Sequence, residues 1–587
     1  MSKTLQLDEL VSGDNLAYKL MHVYSKWRIQ RAPWETEQKE IRNYLFATDT
    51  STTTNNSLPW RNSTTLPKLA QIRDNLHAAY LDAVFPNDDW LVWEGDDQES
   101  VTKEKRRIIE MYVKNKAKQS GLRETISKLL YDYIDYGIVL GEVVFVTEKH
   151  KDVETDEDVT TYTGPKLERI SPWDHYFNPT ASTYDKTPKF TRYLKNVGDL
   201  KKDLETRPDL KFDKEGFKKV REIRSTVSTF KLEDWNKADG YFADGFGSLN
   251  EYYGSGLVEI IEFEGDIYDE KTDTLHENRI VTIADGRYIL RNIANPNWFG
   301  KTNKTMVTWR ERPDNLYGMS PLANLVGMQY RLDHLENTKA DALDQTIMPP
   351  KKIFGQVDPF SWGPNENIYI PGGQSEGDVV PMPPNPAAFQ VNNEIGFLME
   401  MMEEMAGAPK QAMGIRTPGE KTAFEVQTLE NNAGRNFMSK TNKFEIQFLE
   451  PVLNLMLEAA KRNISVSDTL KVVDDDFGAA TFVQITKEDI TAIGKLRPVG
   501  SRHFAARAQL IQNMTQLFNS PLGEFIKPDL SRKQLTKMVE ETMGLTKYKL
   551  FKDNIAVTET AETQRLVQQA SMDLQAEAGA QTQQEEI

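Results

Sequence analysis

Few residues in this chain have the types and spacings that do covalent or metal chemistry. Residues 414–422 (GIRTPGEKT) come within one position of a phosphate-binding loop. Glu420 intervenes where that motif needs Gly-Lys-Thr, and no strand precedes it, so the backbone cradle for a nucleotide is not built. The seven histidines, at 22, 77, 150, 175, 276, 334 and 503, include no HExxH and no pair at a helical spacing that suits a metal. Asp474, Asp475 and Asp476 offer carboxylates to a divalent cation, but consecutive side chains diverge and no EF-hand spacing follows. No G-x-S-x-G elbow occurs. Cysteine is absent, which removes thiolate nucleophiles, disulfides, Fe–S clusters and Cys-based zinc sites together. The sequence predicts no enzyme, no cofactor and no metal.

What remains is electrostatics towards a polyanion. Lys plus Arg number 72 against 88 Asp plus Glu, a net charge of −16, so the surface does not adhere to phosphate by default and a general nucleic-acid coat protein is excluded. The charge is patterned. Residues 387–406 hold Glu394, Glu400, Glu403 and Glu404 with no Lys or Arg, and 320–347 hold Asp333, Glu336, Asp341 and Asp344 against Arg331 and Lys339. These eight carboxylates read as an acidic wall, or as a solvated helix face. Between residues 407 and 419 the basic residues are Lys410 and Arg416, placed to touch a phosphate backbone or to pair with Glu403 or Glu404. Lys351, Lys352, Phe354, Phe360 and Trp362 lie in a Pro/Gly-rich insert, as an exposed docking tip or as packing against a neighbouring copy. Met399, Met401, Met402 and Met405 read as adaptable packing.

The elements that must position these residues follow from periodicity. Residues 1–46 read as helical, with Leu16, Leu20, Val23 and Trp27 in phase, and 48–56 as a polar loop or arm. A helix from Leu66, with Pro67 in its first turn, has Leu69, Ile72, Leu76, Ala79 and Ala83 on one face. Helices follow at 103–119 and 122–136, the second stopped by Gly137. The run 138–146 (IVLGEVVFV) changes to β composition, and TTYT, beyond the acidic turn at 152–158, reads as its hairpin return. Trp173 in SPWDHYFNP reads as a buried anchor in a segment that Pro172 and Pro179 hold extended. Strands at 257–263 and 279–290, with turns at Gly265 and Asp285-Gly286, continue an α+β region to about residue 312.

From Ser320, a capping residue followed by Pro321, a helix is expected to run unbroken to Ile347, about 42 Å long, with Leu322, Leu325, Leu332, Leu335, Leu343 and Ile347 on one side. Pro349-Pro350 ends it. The insert 348–386 contains strand-like KKIFG and NIYIPG, and a second helix returns over 387–406. After the loop 407–419 the longest periodic segment runs to about residue 463, a rod of about 65 Å with one possible kink point at Pro451. Strand pieces at 469–473 and 481–485, helices at 502–518 and 530–543, and a Gln-rich tail complete the chain. A length of 587 residues suggests about four units. Hydrophobic residues at 39% put the chain on the polar, interface-rich side of globular. No apolar run approaches the roughly 18 residues of a membrane span, and the first residues show no signal-peptide core, so a soluble, unexported protein is expected.

The order of an α+β region, a helix, an insert, a returning helix, a loop and a very long helix resembles the portal proteins of tailed double-stranded DNA bacteriophages. Local phrases carry the same resemblance: YGIVLGEVVFV at 136–146, ERISPWDHYFNP at 168–179, YGMSPL at 317–322, EKTAFEVQTLENNAGRNF at 420–437 and FLEPVL at 448–453. The resemblance implies a mainly helical α+β portal-type fold. In its terms 61–319 is the first part of the wing and 320–347 a stem helix, whereas 1–60, read as an N-terminal helical arm, and the Gln-rich tail have no counterpart in it. The clip is 348–386, the second stem helix 387–406 and the tunnel loop 407–419. Residues 420–500 are the long helix and second part of the wing, and 501–587 the crown and tail. The implied function is a head-to-tail connector at one capsid vertex of the virion, assembled in the host cytoplasm. It would be a ring, usually of twelve subunits, that passes double-stranded DNA during packaging and ejection. Its implied partners are the terminase motor, the major capsid protein and head-tail adaptor or tail proteins. A channel must confine DNA without gripping it, which suits an acidic wall with sparse basic points. A non-conducting head or tail adaptor is the alternative.

Overall fold

The computed structural model describes residues 4–7, 14–46, 62–85, 90–96, 103–226, 258–347, 351–354, 378–381, 390–406, 436–463, 467–473 and 480–498, with short gaps inside these spans. It is an α+β protein in which helix predominates. The chain divides into two units, residues 1–470 with 484–498, and 471–483 with 499–587.

The first residues are not all helical. Strand β1 (Thr4–Leu7) precedes α1 (Asp14–Gln30) and α2 (Ala32–Phe46). The alternation of Leu5 and Leu7 around Gln6 is a strand period, not a helical one. Helix α3 (Lys68–Val84) starts directly after Pro67. Its buried stripe passes through Leu69, Ile72, Leu76, Tyr80 and Val84 rather than the expected Ala79 and Ala83, because the larger side chains fill the core. Strand β2 (Leu91–Gly95) leads to α4 (Lys103–Gln119) and α5 (Leu122–Asp135). Gly137 ends the last of these in the left-handed region at φ 67°, where a Cβ would lie 2.4 Å from the Met319 carbonyl carbon.

The hairpin β3 (Ile138–Lys151) and β4 (Asp158–Arg169) follows as expected, then the short β5 (His175–Phe177) and β6 (Lys189–Lys195), α6 (Val197–Thr206) and α7 (Lys214–Thr226). Residues Pro172–Asp174 form a 3-10 turn, so the segment is not extended throughout, and Trp173 is half-buried while His175, Tyr176 and Phe177 are buried. Next come β7 (Val258–Asp269), β8 (Thr274–Ala284), β9 (Tyr288–Ala294), β10 (Lys304–Thr308), β11 (Arg310–Arg312) and β12 (Asn315–Met319). Gly265 makes no turn; it sits inside β7 at a register shift between Gly265 and Ile267, a bulge that glycine accommodates. The six-stranded sheet has the order β5-β6-β7-β8-β9, with β1 parallel to β7, and a second sheet has the order β10-β3-β4.

The helix expected from Ser320 begins later than its cap suggests. The Ser320 hydroxyl accepts the Leu322 N–H at 2.9 Å and donates to the Ile134 carbonyl at 2.6 Å, which holds a 3-10 turn at Ala323–Leu325. Helix α8 then spans Val326–Ile347, about 33 Å instead of 42 Å. Strands β13 (Lys351–Phe354) and β14 (Asp378–Pro381) pair antiparallel, and α9 covers Asn392–Ala406. Of the long rod, residues 436–463 are described. Helix 436–444 passes through a π turn at Glu445–Leu449 into α10 (Glu450–Asn463), with the Glu450 N–H reaching back five residues to Glu445 O. Pro451 has no N–H, and its ring would meet the carbonyl of residue 447 in a regular helix; the wide turn before it relieves that clash. Strands β15 (Ser467–Val473) and β16 (Ala480–Thr486) form a two-stranded sheet that includes the described residues of the second unit, and α11 (Lys487–Ile490) and β17 (Gly494–Pro498) follow, β17 pairing with β2.

The main core packs α3, α4 and α5 against Phe444, Phe448, Val452, Leu453 and Met456 of the rod. Gly141 in β3 allows this: a Cβ there would lie 2.8 Å from Phe448 Cζ. A second core joins Leu16, Leu20 and Tyr24 of α1 to Phe190, Phe263 and Val281 of the large sheet. Four of the quoted phrases meet in space: Gly137 lies against Met319, Gly141 against Phe448, and Phe177 stacks on Tyr317 with centroids 4.4 Å apart, while 420–435 lie outside the described residues.

Candidate assembly and channel surfaces

Helices α8 and α9 form an antiparallel pair. Lys339, past the middle of α8, donates to Asn392 Oδ1 at the start of α9 (3.3 Å), while α9 also packs on the turn that precedes α8. Residues 340–347 extend about 12 Å past that contact. Ala342 is the last buried residue; Leu343 is 50% and Ile347 65% exposed, so the apolar side expected along the whole helix leaves the core in its outer turns.

The eight carboxylates expected on one wall are split. Asp333 is fully buried: its Oδ1 accepts the Leu66 N–H at 2.9 Å and the Gln329 amide at 2.9 Å. Burial pushes its carboxyl above the ordinary range, and the two N–H bonds pull it partly back. Asp341 Oδ1 accepts the backbone and side-chain N–H groups of Asn62, and Asp344 accepts the same side chain at 2.7 Å. Glu336 is half-buried and paired with Lys339 at 2.7 Å. Glu403 is buried against Lys68 at 2.5 Å, the first residue of α3. Glu394, Glu400 and Glu404 are exposed. Asp333 is thus an interior group and Asp341 a tether because a segment more than two hundred residues away in sequence lies along that side of α8, and Glu403 is interior because Lys68 of α3 meets it. The exposed residues of α8 are Gly327, Tyr330, Arg331, His334 and Thr338 in its inner and middle turns, and Leu343, Asp344, Thr346 and Ile347 in its outer ones.

On α9 the methionines divide. Met402 is buried and Met399 half-buried, whereas Phe397, Met401 and Met405, at i, i+4 and i+8, are 56%, 37% and 45% exposed. They make one apolar ridge beside Glu400 and Glu404. Lys351, Lys352 and Phe354 belong to β13. Phe360, Trp362, Lys410 and Arg416 lie outside the described residues, as do Asp474–Asp476 and the two helices expected beyond residue 500.

Sequence reasoning missed two polar clusters. One is the ladder on α8, whose signal is Gln329, Asp333, Asn337 and Asp341 at successive steps of four. The other joins the two sheets. Lys304 of β10, 1% exposed, donates to Glu262 at 2.5 Å and lies 3.4 Å from Glu264, both on β7. Burial alone would raise Glu262, but Lys304 and Arg291 outweigh it and hold the carboxyl at about 2. Nearby, fully buried His175 bonds the Thr191 and Tyr184 hydroxyls, at 3.0 and 2.9 Å, and burial with the cations Lys304, Lys189 and Arg31 keeps it well below its ordinary value. Buried Lys189 sits over the Tyr184 ring, lowered to about 8 by burial. These groups tie strands together.

A cleft of about 310 Å³ opens between the α1–α2 junction and β12, lined by Trp34, Phe177 and Tyr317 among others. Its buried guanidinium, Arg31, is already bonded to Glu35 and to the carbonyls of Pro172, Trp173 and His175. Among the described residues no three His, Cys, Asp or Glu side chains are grouped to hold a metal ion, and no helix is long and apolar enough to cross a membrane. Compared with known proteins, the chain matches no family model and no curated protein.

Proposed function

We propose that this chain is the portal subunit of a tailed double-stranded DNA bacteriophage, assembling as a closed ring of about twelve copies that joins head to tail and passes DNA. The observation that carries this reading is the α8–α9 hairpin. It extends past its own core, has the paired strands β13 and β14 in the connection between its helices, and keeps the ridge Phe397–Met401–Met405 exposed on the single chain. An apolar ridge beside carboxylates on one exposed helix face suits burial against another copy. The loop 407–419, with Lys410 and Arg416, would then face the channel, Glu394, Glu400 and Glu404 would supply its acidic character, and Phe360 and Trp362 would serve the motor or the tail adaptor.

A non-conducting adaptor built from the same helices is the second reading. It is favoured by one observation: Asp333, Asp341 and Glu403 serve the fold of the single chain, which thins the acidic wall. Replacing Phe397 and Met401 with Asp tests assembly, with mass photometry expected to shift from a large closed particle to folded single subunits. Replacing Lys410 and Arg416 with Ala in intact rings separates the two readings. Reduced DNA retention supports a channel, and wild-type retention across a range of salt supports the adaptor.

A further inference from the structure

Asn62, Thr64 and Leu66 lie along α8, held by a ladder that reads the main chain. The Leu66 N–H goes to Asp333 and its carbonyl accepts from Gln329 at 2.6 Å. Two residues earlier, the Thr64 N–H donates to Asn337 Oδ1 at 2.7 Å and its carbonyl accepts from the Asn337 amide at 3.0 Å. Two residues earlier again, Asn62 bonds Asp341 and Asp344. Four residues of helix rise about 6 Å and two residues of extended chain about 6.6 Å, so rungs at 333, 337 and 341 match residues 66, 64 and 62 without strain. Pro67 biases Leu66 towards the extended form, and α3 with the Lys68–Glu403 pair anchors this end.

Among residues 338–347 only Ala342 is buried, and α9 as described begins opposite Lys339. A helical stretch this short is marginal in water without tertiary support. The rungs also become more exposed outward, from fully buried Asp333 to exposed Asp344.

We propose that Asn62, Thr64 and Leu66 are the rungs of a latch that keeps the outer turns of α8, residues 338–347, helical, and that opens from the Asn62 end without unfolding the core. The latch does not depend on ring formation. It makes the end of α8 that leads to β13 responsive to whatever pulls on the chain before α3.

Hydrogen exchange of the full-length protein tests this. Thr64→Pro, which removes the N–H that Asn337 accepts, and the pair Asn62→Ala with Asp341→Ala should each speed exchange over 338–347 by tenfold or more. Peptides from 444–460 should keep their wild-type rates. Asp341→Asn, which retains the accepting oxygen, should exchange more nearly as wild type than Asp341→Ala does. Unchanged exchange over 338–347 in both variants would overturn the latch. Equal acceleration over 338–347 and 444–460 would also overturn it, making the segment part of one cooperative core.

Discussion

Glu262→Gln is the sharpest perturbation of the junction between the two sheets. It keeps the shape of the side chain and removes the charge, leaving buried Lys304 with Glu142, its cross-strand neighbour on β3, and Glu264 at 3.4 Å. Holding a carboxyl at about 2 against an ordinary 4.5 is worth about 3 kcal/mol, within the 3–5 kcal/mol that breaking a buried pair costs. The folded value is depressed, so this stabilisation is present above pH 4.5 and is lost as pH falls towards 2. Protection factors from hydrogen exchange of β7 and β10 peptides should fall at pH 7 by an amount equivalent to about 3 kcal/mol, and the gap from wild type should close below pH 3. Adding Lys304→Met removes the stranded cation and should restore part of the loss. A deficit under about 1 kcal/mol, or a gap that stays constant from pH 7 to 3, would refute the electrostatic reasoning.

Asp132, raised to about 6 by burial despite its bonds to Arg169, should make the fold less stable as pH rises from 4 to 6. Asp132→Asn should flatten that dependence by about 3 kcal/mol, measured by exchange of α5 peptides; an unchanged slope contradicts it. Lys189, lowered to about 8 by burial, should add stability as pH rises from 8 to 10.5, so Lys189→Met should remove that rise and leave thermal stability at pH 7 equal or higher; a fall of more than a few degrees would count against this. Gly137→Ala places a Cβ 2.4 Å from Met319 at a left-handed position and should cost at least about 2 kcal/mol in a thermal scan, whereas a neutral effect would mean that β12 moves freely there.

The elements with the strongest local signals were legible. Helices α4 and α5 and the hairpin β3–β4 fall where periodicity, Gly137 and the run 138–146 put them, because each is specified by residues close in sequence. β1 was hidden because four residues carry too little period, and the start of α8 because Ser320 and Pro321 serve a 3-10 turn tied to Ile134 instead of a cap. The charge count along α8 and α9 did not reveal which carboxylates face outward. Asp333 and Glu403 are buried by Leu66 and Lys68, whose arrival depends on tertiary structure. A step-of-four run of Gln, Asp, Asn and Asp is a better signal for a helix that receives an extended chain than for a repelling wall.

The proposed portal ring is tested most directly on the assembled particle. Class averages of the purified protein in the electron microscope, viewed down the particle axis, should show a closed ring with a central opening wide enough for duplex DNA, about 20 Å across. Such a ring of about twelve copies of a 67.1 kDa chain would weigh about 0.8 MDa. Monomers or dimers at micromolar concentration in several salts, or a ring with a filled centre, would contradict it.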